Sequence, residues 1–148
     1  ANAVRPNGSH AFSSWTMVER GGVRIGIVGA TTPGSMVWDR DNLKDRLVMQ
    51  DIVPAVRLAV ADVREAGAQV VIVSVHSGLD GASSYDTVGT GMPSENVAAR
   101  LAREVGATWE EILGSVMLTV PGFGLLPAVA AIPHARAGYE QARESEAD

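Results

Sequence analysis

Hydrophobic positions in the first third of the chain fall into short runs separated by turn residues. Residues 15–20, WTMVER, and 23–30, VRIGIVGA, flank Gly21-Gly22. A two-residue Gly-Gly loop between strand-like runs predicts a β-hairpin, because both loop positions must tolerate positive φ. The second run gives way to TTPGSMVWDRDN, where Pro33, Gly34 and the Asp/Asn cluster interrupt any regular element and predict a long exposed connection. From Asp51 the period changes. Ile52, Ala55, Val56, Ala59, Val60, Val63 and Ala66 fall on one helical face, with Asp51 as N-cap, Pro54 in the first turn and Gly67 as the stop. This helix leads into VVIVSV, a β-branched run of the kind found in a parallel strand covered on both faces. Residues 23–75 therefore read as strand, right-handed crossover helix and strand, giving a mixed sheet with a hairpin at one side.

Residues 76–93 form a Gly- and Ser-rich segment longer than an ordinary connection, and loops of that length are usually either functional or disordered. Ser94 then predicts the cap of a helix, ENVAARLAREV, with Val97, Ala98, Leu101, Ala102 and Val105 as its buried stripe and Gly106 at its end. Glu95 would lie at the positive end of that helix dipole. Thr108 and Glu111 match a capping box and predict another short helix. The stretch 112–133 is uncharged, which raises a membrane span as a reading; Gly114, Pro121, Gly122, Gly124 and Pro127 inside it oppose one continuous spanning helix. The last residues, HARAGYEQARESEAD, read as a charged, frayed terminus.

Length and composition narrow the picture. With 148 residues, 46% of them hydrophobic, the chain suits one globular unit with a core. A net charge of −5 and no accumulation of basic residues argue against a nucleic-acid-binding surface. The absence of cysteine excludes disulfides and thiolate metal sites without indicating a compartment. The first residues hold no basic stretch followed by an apolar one, so no signal peptide is expected in them.

Candidate chemistry centres on His76, the first residue past the VVIVSV run. In open parallel sheets, ligands collect beyond the carboxyl ends of the strands. An imidazole held at a rigid strand end has a fixed direction, which suits a metal ligand, although one His without partners specifies no site and a hydrogen-bonded structural role is its plainer reading. Asp80 and Asp86 follow in the loop and read as turn residues. His10 and His134 lie in weakly structured ends. GIVGATTPG lacks the G-x-G-x-x-G spacing of a dinucleotide site, and neither G-x-S-x-G nor a Walker A loop occurs.

The consecutive blocks ANAVRPNGSHAF, GGVRIGIVGATTP, DIVPAVRLAVADVREAGAQVVIVSVHSGL and SENVAARLAREV give the chain its strongest likeness. In order and spacing they resemble the bacterial 5'-nucleotidase and 2',3'-cyclic-nucleotide phosphodiesterase branch of the calcineurin-like metallophosphoesterases, over about residues 1–105. The resemblance implies an α/β fold with two sheets sandwiched between helices, of which this chain would hold an incomplete part. It also implies a site of two divalent ions about 3.5–4 Å apart that activates water for attack on a phosphoester. The VSVHSGL block matches the family's lone-histidine motif, which carries a metal-ligand role onto His76. One imidazole does not distinguish Mn, Zn or Fe. The implied substrate is a nucleotide or other phosphoester, and intact relatives are implied to be periplasmic or extracellular.

The departures set the remaining expectations. The family's D-x-H, G-D and G-N-H-[DE] motifs would precede Ala1, and its G-H-x-H motif is replaced after ARLAREV by GATWEEILGSVMLTVPGF. Residues 1–105 are thus expected to be a partial metallophosphoesterase domain, and 106–148 a divergent tail, either the product of a shifted reading frame, poorly ordered, or a replaced metal loop. The chain reads as a central fragment of a metal-dependent phosphoester hydrolase, inactive alone, with His76 as its surviving ligand. The alternative is a non-catalytic α/β remnant binding a partner or small ligand through the loop 77–93. Oligomeric state has no signature in the sequence.

Overall fold

A computed structural model describes residues 1–79, 91–118 and 120–145. They form two compact units: residues 1–77 with 91–95, and residues 78–79 with the described positions from 96 onward.

The first unit is built on the hairpin and the crossover. Strands β2 (Trp15–Arg20) and β3 (Val23–Ala30) pair antiparallel from Arg20↔Val23 to Trp15↔Val28, and Gly21 and Gly22 take the positive φ values, +57° and +78°, that the tight turn requires. Helix α3 (Ile52–Glu65) begins where expected, with the Asp51 carboxylate accepting the Val53 backbone N–H at 3.0 Å, and it stops at Gly67, whose φ is +93°. Strand β5 (Val70–Val75) then lies parallel to β3, from Ile25↔Val70 to Ala30↔Val75, so the sheet order is β2-β3-β5. Ile52, Val53, Val56, Ala59, Val60 and Val63 of α3 are buried, and Val28 opposes them from the sheet. A second, two-stranded sheet pairs β1 (Ala3–Val4) with β4 (Val48–Met49), two strands too short for their periodicity to announce.

Two expectations change here. The connection after β3 is not uniformly exposed: Thr32, Pro33 and Gly34 are buried, and it carries two single-turn helices, α1 (Ser35–Trp38) and α2 (Arg40–Leu43). Strand β5 is not covered on both faces either. Val70 and Ile72 are 46% and 48% exposed, because α3 covers the opposite face, the one that carries Gly26 and Val28.

The second unit is helical. Helix α4 is shorter than its pattern predicts, running only Ala98–Glu104, and its N-cap is Val97 with no side-chain hydrogen bond, so neither Ser94 nor Glu95 stands at its start. Helix α5 (Trp109–Met117) has the full capping box expected of Thr108 and Glu111. The uncharged stretch is broken into the end of α5, a turn of helix α6 (Val120–Phe123), Gly124 at φ +88°, and helix α7 (Leu125–Ser145). No helix among the described residues is long and apolar enough to cross a membrane. The expected frayed terminus is instead helical through Ser145. Ala128, Ala135 and Ala142 make its buried stripe, and Ala99, Ile112 and Val116 of α4 and α5 complete the core. Arg103 donates to the Tyr139 hydroxyl at 2.7 Å, while Trp109 and Tyr139 rings sit 5.8 Å apart.

Candidate functional site

The parallel ladder between β3 and β5 runs one residue past the regular strand. The His76 backbone N–H donates to the Ala30 carbonyl at 3.1 Å, so the imidazole departs from a point fixed by the sheet, and the residue is exposed. His76 is thus an exposed residue at the carboxyl end of β5.

Two polar clips hold the backbone around that end. Asn2 is 1% exposed and satisfies its whole amide: its nitrogen donates to the Thr31 and Gln50 carbonyls at 2.8 and 3.0 Å, and its oxygen accepts the Thr31 N–H at 3.0 Å. It thereby ties the residue before β1, the end of β3 and the residue after β4. Thr32, 2% exposed, accepts the Gly34 N–H at 3.0 Å and donates its hydroxyl proton to the Glu95 carboxylate at 2.9 Å. Ser77, next to His76, donates its hydroxyl to the Glu95 carbonyl. Glu95 thus joins the ends of β3 and β5, in place of the helix-dipole role its position in the sequence implies.

Of the other residues weighed from the sequence, Asp80 and Asp86 lie outside the described residues, as does most of the 77–93 loop. His10 forms an isolated β-bridge with Val4, and its Nδ1 lies 3.3 Å from the Ser14 hydroxyl. His134 belongs to the second unit, where it lines an open concavity of about 410 Å³ with Leu79, Pro127, Ala130 and Ala131. Among the described residues no group of three or more His, Asp or Glu is arranged to hold a metal ion. The described residues therefore do not by themselves fit a complete two-metal site. Asn2, Thr32 and the true partner of Glu95 escape sequence reasoning because their contacts span 29 and 63 residues, and nothing local marks them.

No family model matches the chain. It is 40% identical over 57 residues to a 2',3'-cyclic-nucleotide 2'-phosphodiesterase/3'-nucleotidase of Salmonella typhimurium, an alignment covering 38% of this chain and 9% of that protein. Among solved structures, the calcineurin-like phosphoesterase YfkN from Bacillus subtilis superimposes with a TM-score of 0.59 and 26% identity, over 70% of this chain and 32% of that one. The chain is similar in sequence and fold to part of these phosphoesterases. A putative 5'-nucleotidase from Staphylococcus aureus, at 16% identity and a TM-score of 0.53 over 70% of this chain and 20% of that one, shares the fold. The relatives are hydrolases, and this chain spans less than a tenth of the length of the curated one. The mixed sheet expected from the sequence is the one these phosphoesterase structures share.

Proposed function

We propose that the chain is a segment of a metal-dependent nucleotide phosphoesterase, to which it contributes one imidazole ligand, His76. The observation that carries this reading is the exposed His76 on the last rung of the β3/β5 ladder, in a fold shared with calcineurin-like phosphoesterases. An imidazole on a fixed backbone can present a ring nitrogen to a divalent ion with only its own side-chain rotamers left to order. The D-x-H, G-D, G-N-H-[DE] and G-H-x-H motifs of the family do not occur in the 148 residues, so the chain alone is expected to be inactive toward 2',3'-cyclic nucleotides and nucleoside monophosphates.

The test is a Zn2+ titration followed by nuclear magnetic resonance of the histidine side chains. Weak binding that perturbs the His76 imidazole ahead of His10 and His134, and that disappears in His76→Ala, is the expected result. A folded chain whose His76 resonances ignore Zn2+ would favour the non-catalytic remnant. A metal-stimulated phosphatase rate from the isolated chain, abolished by His76→Ala, would overturn its inactivity while supporting the ligand role.

A further inference from the structure

We propose that Glu95 is a positioning residue for His76: with Thr32 and Ser77 it clamps the carboxyl ends of β3 and β5 together and so fixes where the imidazole leaves the sheet. The proposal rests on the reading of His76 as a metal ligand. Its support is two hydrogen bonds that meet on Glu95 and a third that ties His76 to the end of β3. The Glu95 carboxylate accepts from Thr32, in the turn that follows β3; the Glu95 carbonyl accepts from Ser77, the residue after His76; and the His76 N–H is itself bonded to Ala30 at the end of β3. The Ser77–Glu95 bond closes a span of 18 residues, so both ends of the long loop meet beside the histidine. Without the clamp, the last rung of the ladder is an edge position open to fraying, as strand ends ordinarily are.

The acceptor also matters to a buried group. Thr32 is 2% exposed, and its hydroxyl oxygen already receives the Gly34 N–H, so its proton needs the Glu95 oxygen. Losing that acceptor strands a buried donor and loosens the turn that follows β3, whereas Glu95→Gln retains a side-chain oxygen for it. A role confined to general stability would affect the whole of β5 alike. A positioning role acts on its last rung.

The test uses the full 148-residue chain as wild type, Glu95→Ala, Glu95→Gln, Thr32→Val and His76→Ala. Amide hydrogen exchange at His76 is expected to accelerate about ten- to a hundredfold in Glu95→Ala, with Ile72 and Ser74, whose N–H groups point toward β3, unchanged and Glu95→Gln close to wild type. The Zn2+-induced change at the His76 imidazole should weaken in Glu95→Ala and return in Glu95→Gln. Thr32→Val removes the donor from the other side and should reproduce the exchange effect, which keeps the test open if Glu95→Ala fails to fold. Unchanged exchange at His76 in both Glu95→Ala and Thr32→Val, or acceleration spread equally over β5, overturns the clamp. Zn2+ binding that survives His76→Ala instead overturns the ligand reading, a failure visible on its own.

Discussion

Gly26 marks the tightest contact between the sheet and α3. A Cβ added there would stand 2.5 Å from Val63 Cγ2 and 3.1 Å from the Ala68 Cβ, and Val63 is fully buried on a helix where a β-branched side chain has little rotamer freedom to move aside. Gly26→Ala is therefore expected to destabilise the first unit by about 1–3 kcal/mol, as overpacking does. Urea unfolding should show a lower midpoint at unchanged slope, and adding Val63→Ala should cost less in the Gly26→Ala background than alone. At this scale the sequence is readable only where chemistry and pattern coincide. His76 stands out because an apolar run ends at it. A glycine within a strand shows itself, but not the helix side chain that demands it. Asn2 and Thr32 look like ordinary polar residues until partners 29 and 63 positions away are known.

Elements are legible where a start signal, a period and a stop agree. Helix α3 has all three in Asp51, its buried valines and Gly67, and the structure reproduces each. Helix α4 has the period, but the Glu95 carboxylate accepts from Thr32 and the helix starts only at Ala98. Helix α5 has a complete cap, and this gives it a pH signature. The Thr108 backbone N–H, 2.8 Å from Glu111 Oε2, and then the Thr108 side chain hold the Glu111 carboxyl below the ordinary glutamate value. Because the folded value is depressed, the cap's contribution is fully present above the unfolded glutamate range and fades as pH falls through the lowered one. A carbon-detected titration of Glu111 should find its midpoint below the usual glutamate value. Thr108→Ala should return it only part of the way, since the backbone donor stays. A midpoint at the ordinary value in the wild type would mean the box does not persist in solution.

For the molecule as a whole, the pattern of apolar residues foretells a mixed α/β sheet but not which of its faces is covered. Periodicity reports that β5 is apolar on both sides; only the placement of α3 shows that the side with Val70 and Ile72 stays open. The second unit likewise exposes Leu118 at 81% and Leu126 at 83%, in the stretch where an uncharged run breaks into separate helices. Exposed apolar groups of this size, together with strand edges such as that of β5, favour association between chains. The isolated chain is expected to form larger species as its concentration rises, and sedimentation velocity measures this directly. Ile72→Lys places a charge in the middle of the open sheet face without touching the α3 side, so it should shift the distribution toward the 15.5 kDa monomer. Leu126→Glu tests the helical surface separately. If only Leu126→Glu acts, the sheet face is not what brings chains together, and the association belongs to the helical unit alone. If only Ile72→Lys acts, the open face of the sheet is the surface through which the chains associate.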